Sequence, residues 1–357
     1  MADFTGQLNS NEIYASLWNM VISIQTFTDN VALDSSLVDN ARVDGSLFGD
    51  TKLYISTDVL RSQDWEGDEE AKNLLEIHRA KDPKVQALQL NKTRMIALTV
   101  DYYLSKRAFL DEGSFSQYTT ALITWINDTK RIYDYTLYNA FIGTNETDLN
   151  GQSIVFNDIS IAKPTTAAAA NLEAQNLAYE MSTLIRNLCD VTRSYSDYGF
   201  LRAYSKDKIK VIWNQRYLDR IRTIDLPTIY HNEFMDSLFS KYSLPAKYFG
   251  KVNSGSTSGD GSTIRFLNET YYESDKSDYF GGEIVPSGKA SDETYTEDDS
   301  IIAKVIVGDL PPLMSSFEVG TSFYNARSLT ENKYFIWGFN TLEHLKNYPY
   351  ITIRAKK

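Results

Sequence analysis

A single cysteine, Cys189, stands in 357 residues. With no partner for an intramolecular disulfide, the chain reads as a protein of a reducing compartment, with Cys189 a small buried hydrophobe. Histidine is almost as scarce. His78, His231 and His344 are the three, and no two have the helical spacing of a metal-ligating pair. Nowhere do 18 apolar residues run together, so no transmembrane helix is expected. The opening Met1-Ala2-Asp3-Phe4-Thr5 has no basic region followed by an apolar run, so no secretory signal is expected. Cations are outnumbered, 36 Lys and Arg against 47 Asp and Glu, and are scattered along the chain. That excludes the basic footprint on which a dedicated nucleic-acid binder depends.

Catalytic signatures are missing too. Positions 282–289 superficially look like a phosphate-cradling loop, but the glycine is one position off and Ala290 stands where Ser or Thr is needed. Gly255-Ser256-Thr257-Ser258-Gly259 has Thr where a nucleophile elbow requires Ser. The acidic clusters at 64–70 and 297–299 sit in polar loops and lack the alternation of a calcium loop. No residue is singled out as catalytic, cofactor-binding or metal-binding.

What is present is tyrosine, 24 of them, suited equally to wet contacts between subunits and to strands. The chain is organised around a long helix expected over 116–142. Its apolar residues Tyr118, Leu122, Trp125, Ile126, Ile132, Tyr133, Leu137, Ala140 and Phe141 recur at the helical period. Ser114 or Ser116 is the expected N-cap, and Gly143 is expected to end the helix in a left-handed conformation. Asn127, Asp128, Lys130, Arg131 and Asp134 form the face expected to be solvated.

Before this helix, Ile13, Leu17, Met20, Val21 and Ile24 share one helical face, and 30–50 reads as an extended arm. Residues 51–100 read as two strands. Leu53 and Ile55 alternate on the way out, and Leu88, Leu90, Ile96, Leu98 and Val100 on the return. The long acidic excursion between them contains Trp65, and excursions of that length are often functional. After the helix come a short strand at 153–156 and a second helix from Thr166 to about Arg193. Leu177, Met181, Leu184, Leu188 and Val191 lie on one face of that helix. Strands at 209–214 and 301–307, the first feeding a short helix with Tyr217, Leu218 and Ile221, mark an α/β sheet. Residues 250–300, rich in Gly, Ser, Thr and acids, read as a surface insertion with a short strand at 264–267. Strands at 334–339 and 350–353 close the chain.

This order of elements resembles the major capsid protein of tailed bacteriophages, whose fold is shared by encapsulin shells. The resemblance implies an α+β fold of five parts. These are an N-terminal arm (1–50), an extended β-hairpin loop (51–99), a peripheral domain with a spine helix (100–160), an α/β axial domain carrying the polar insertion (161–333) and returning terminal strands (334–357). It implies a structural subunit of an icosahedral virion, not an enzyme and without cofactor. The subunit would self-assemble into hexamers and pentamers in the host cytoplasm and enclose DNA without sequence specificity. Separate scaffolding, portal or decoration proteins would be its other partners. The acidic net charge of −11 suits a container that holds DNA without sticking to it. Assembly contacts are then expected from Ile13, Leu17 and Val21 on the arm. On the loop they are expected from Leu53, Ile55, Trp65, Lys81, Lys84, Leu88 and Leu90, with the acidic tip meeting Lys81 and Lys84 of other copies. Two alternatives stay open: an encapsulin-like compartment, and an α/β hydrolase or transferase with a scattered carboxylate site.

Overall fold

The computed structural model describes residues 36–45, 49–62, 77, 79–101, 112–144, 153–222, 240–253 and 294–356. Two five-stranded sheets share one long helix. Sheet I has the order β1 (Arg42–Asp44), β10 (Leu313–Asn325), β11 (Thr330–Asn340), β3 (Lys84–Asp101) and β2 (Thr51–Ser56). Sheet II has the order β4 (Ser153–Ser160), β12 (Tyr350–Lys356), β9 (Ile301–Val307), β5 (Ile209–Asn214) and β6 (Ser240–Leu244). Helices α1 (Ser36–Ala41), α2 (Glu112–Thr144), α3 (Ala167–Cys189) and α4 (Gln215–Arg222) complete the described frame.

The central strands of sheet II are buried on both faces and read accordingly as near-continuous apolar runs. All seven residues of β9 are buried. By the period of two, Val305, Val307, Val211, Trp213, Ile351 and Ile353 face α3, where Leu177, Met181, Leu184, Ile185 and Leu188 form the opposing wall. Ile306, Ile212 and Tyr350 face the other way, into a second core with α1, the end of α2 and the Trp337–Phe339 end of β11. The sheet is mixed. β9 runs antiparallel to both β5 and β12, while β4 and β6 add parallel edges.

The long helix is longer than expected, 33 residues or about 50 Å. It begins at Glu112, so Ser114 and Ser116 lie inside it and neither is the N-cap. Gly143 is helical and not a left-handed cap. A Cβ there would collide with the Tyr248 carbonyl, reaching within 2.6 Å of its carbon, so the glycine permits close backbone approach. The expected solvated face also fails towards the C-terminus, where Lys130 and Asp134 are buried and every residue from Leu137 to Ile142 is enclosed. The helix there is wrapped by α1 and both sheets, and Arg42 pairs with Asp134 at 3.5 Å. Of the expected stripe, the side chains of Tyr118, Leu122 and Trp125 lie outside the described residues.

The arm is not extended throughout. Residues 36–44 form α1 and β1, with Leu37, Val38 and Ala41 in the core against α2 and β1 parallel to the start of β10. Helix α3 is capped by Thr166, whose Oγ1 accepts from the Ala169 amide at 3.3 Å. It ends at Cys189, so Val191 is exposed beyond it. The strand expected at 153–156 continues to Ser160.

The expected domain limits at 160/161 and 333/334 do not match sheet membership. β4 and β12 belong to sheet II with β5 and β9, whereas β10 lies in sheet I. The chain changes sheet at Gly308-Asp309-Leu310-Pro311-Pro312, where Gly308 takes a left-handed φ of +82° against the Tyr348 ring. The polar insertion leaves through a two-stranded stem, β7 (Gly250–Asn253) paired antiparallel with β8 (Thr294–Glu297). The expected strand at 264–267 lies outside the described residues, as does the Ile13–Ile24 helical face.

Candidate assembly surfaces

The β2–β3 hairpin pairs Leu53 with Ala87, Ile55 with Val85 and Lys52 with Leu88. Odd-numbered residues of the two strands therefore share one face and even-numbered residues the other. The register splits the expected contact set. Leu53, Ile55 and Val85 are 61%, 65% and 53% exposed on one side. Leu88 and Leu90, on the other, are buried with Met314 and Leu345, so they belong to the chain's own core and not to a contact surface. Gln86 reinforces this inner face, its Nε2 donating to the His344 carbonyl and its Oε1 accepting from the Lys346 amide, both at 2.8 Å.

Past β2, Asp58 anchors the hairpin to the segment after α3. Its carboxylate accepts from Lys81 Nζ at 2.8 Å and Arg193 Nη1 at 3.1 Å. It also accepts from the amides of Leu201 at 3.0 Å and Val59 at 2.9 Å. The Lys81 hydrogen bond, with these amides and Arg193, holds the carboxyl well below the usual carboxylate range. Arg202 Nη2 adds a bond to the Thr57 carbonyl at 2.6 Å. Lys81, expected to meet an acidic tip from another copy, thus has its partner within the same hairpin. Lys84 is exposed at the start of β3, opposite Ser56. Trp65 and the arm residues Ile13, Leu17 and Val21 lie outside the described residues.

Asp58 escaped the sequence reading because its partners are remote in sequence, and no local pattern announces it. His344 escaped for the same reason. It lies in the 341–349 connector between the sheets, stacked 3.8 Å from the Tyr350 ring and 4.7 Å from Phe141. Full burial, with Lys304 nearby, pushes its imidazole down to about 3. His78 and His231 lie outside the described residues. Among the described residues no group of His, Cys, Asp or Glu has the arrangement of a metal site, and no helix is long and apolar enough to cross a membrane.

Neither a protein-family model nor a curated protein matches the sequence. Solved structures do. A chain of the capsid structure of Staphylococcus phage Andhra superposes with a TM-score of 0.61 at 10% identity, over 92% of this chain and 86% of that one. The protein has the phage major-capsid fold. A chain of the structure of the head fiber and inner core protein gp22 of native bacteriophage P68 matches at 0.55 and 11% identity, over 88% and 83%. A chain of the asymmetric unit of the bacteriophage PhiM1 mature capsid matches at 0.51 and 8% identity, over 92% and 90%. At such identities the likeness lies in the arrangement of elements, and the capsid fold spans nearly the whole chain, so sheets I and II and α2 form one α+β unit.

Proposed function

We propose that this protein is the structural subunit of a phage head, self-assembling into hexamers and pentamers that close an icosahedral shell around DNA. The observation that carries this reading is the capsid fold over 92% of the chain. In this reading sheet II with α3 and α4 is the axial domain, and sheet I with α2 is the peripheral domain carrying β2 and the start of β3 as the extended loop. The arm, with Ile13, Leu17 and Val21, docks on a spine helix. The stripe of Leu53, Ile55 and Val85, with Trp65 and Lys84 beyond it, reaches a neighbouring subunit. A two-stranded hairpin is marginal alone, and three large apolar side chains left in water are unfavourable by roughly 1.5–3 kcal/mol each relative to burial. DNA is held without sequence readout, scaffolding, portal and decoration functions come from separate proteins, and the subunit itself catalyses nothing.

Negative-stain electron microscopy of the purified full-length protein tests this directly. Closed shells or capsomer rings are expected. A protein that stays monomeric over a wide range of concentration and ionic strength refutes the reading.

A further inference from the structure

Sheet I segregates its charges by face. Pairing across β10, β11 and β3 aligns Phe323 with Asn332 and Thr99, then Thr321 with Tyr334 and Ala97, while Ile336 aligns with Met95. These rows continue the face that carries Leu53, Ile55 and Val85. Alternation places odd-numbered β3 residues outward, from Val85 to Thr99, and Met95 and Phe323 are 56% and 63% exposed. From Val85 to Thr99, and at the β11, β10 and β2 positions paired with them, that outward face holds no Lys, Arg, Asp, Glu or His; the next odd-numbered position, Asp101, ends β3 opposite Thr330. Lys52, Lys84, Lys92, Arg94, Glu331 and Lys333 of the same strands alternate to the opposite face. A solvent-facing sheet normally puts charged residues outward, so their concentration on the inner face is unusual.

We infer that a charge-free stretch of this face, from Met95 across Tyr334 to Phe323, is a seat for a second copy of the same chain, separate from the hairpin stripe. The inference rests on the shell reading above. Charge selects the occupant: with no cation on the face a phosphate backbone gains nothing there. In a chain of net charge −11, by contrast, the places where copies approach with least repulsion are those without charge. Depletion of charged residues, with aromatic and aliphatic side chains among Thr and Asn, is also the composition of an interface centre. The backbone agrees. β1 covers β10 only from Leu313 to Ser315, so among the described residues the outer edge from Glu318 to Asn325 has no strand beside it. That edge also carries no Lys or Pro of the kind that normally deters pairing.

The test uses the full chain with Cys189→Ser, so that Ala97→Cys carries the only thiol. N-ethylmaleimide labelling, read by mass spectrometry, is compared between isolated subunits and particles assembled without nucleic acid. Ready labelling in subunits and loss of labelling in particles is expected. Equal labelling in both overturns the inference, and so does protection already present in the subunit, because the chain then covers its own face. In parallel, Thr99→Lys with Thr321→Lys is expected to abolish particles while leaving the thermal melt of the subunit unchanged. Particles at wild-type yield from that pair overturn the inference alone. A wild-type protein that forms no particles overturns the shell reading and this inference together.

Discussion

Replacing His344 by Phe should remove an acid sensitivity built into the joint between the sheets. His344 stacks on Tyr350 of β12 and Phe141 of α2, with Lys304 of β9 as the nearby cation. Its Nε2 is buried without a hydrogen-bond partner among the described residues. Burial holds the folded-state imidazole at about 3, against 6.5 for an exposed one. Between those values the unfolded chain binds a proton that the folded chain refuses, so stability falls as pH drops below about 6.5 and is regained above it. The linkage integral gives a loss of about 2 kcal/mol between pH 7.5 and pH 5, and of about 4 kcal/mol by pH 3. Urea unfolding of assembly-incompetent subunits at several pH values, followed by tryptophan fluorescence, measures this directly. His344→Phe keeps an aromatic ring between Tyr350 and Phe141 and sacrifices no hydrogen bond at Nε2, so its stability should be nearly flat from pH 7.5 to 5. A variant with the same slope as the wild type would show that another group titrates and refute the assignment to His344.

Three further outcomes follow from the geometry. Gly143→Ala pushes a methyl into the Tyr248 carbonyl and should cost about 1–3 kcal/mol by overpacking, read as a lowered melting temperature, although alanine is the better helix former. Leu90→Ala should cost about 2–5 kcal/mol of subunit stability, while Leu53→Ala, on the exposed face, should leave the melt within about 0.5 kcal/mol and act only on assembly. Asp58→Asn discards the charge shared by Lys81 and Arg193, so trypsin should cut after Arg61 and Lys81 faster than in the wild type, with the sheet II core melting as before.

The strands of sheet II were legible because both their faces are buried. A run such as Ile301-Ile302-Ala303-Lys304-Val305-Ile306-Val307 has no other use, and even Lys304 is accommodated, donating to Thr352 Oγ1 at 2.8 Å. The helix over 116–142 was legible from its period, but its solvated face was not. Lys130 and Asp134 fall on the polar side of the helical wheel, yet both are buried in the fold, where Asp134 meets Arg42. Sheet membership was hidden, because strands that swap sheets keep the same alternation. The break at Gly308 to Pro312 was the available signal, a left-handed glycine and two prolines between two apolar runs. The contact stripe was half legible. Leu53, Ile55, Leu88 and Leu90 all alternate correctly, yet which of them meet depends on register, and register depends on the length of the excursion between the strands.

The same register explains why the two sheets have different uses. Sheet II covers one face with α3 and the other with α1 and α2, so its central strands β12, β9 and β5 have no face left to offer another molecule. Sheet I buries only its inner face, and some of its inner charges find partners there. Arg94, for example, donates to the Tyr133 hydroxyl at 3.1 Å and lies 5.0 Å from that ring. Its outward face, along β3 from Val85 to Thr99 and across to Phe323, is left with neither charge nor cover among the described residues. A solitary soluble protein would gain solubility from lysine or glutamate at Ala97, Thr99 or Thr321, where none is buried and the fold asks for nothing apolar. Substitutions there should therefore separate two properties that substitutions in sheet II would change together. The subunit keeps its fold because the cores lie elsewhere, and loses its ability to join other copies because the uncharged face is gone.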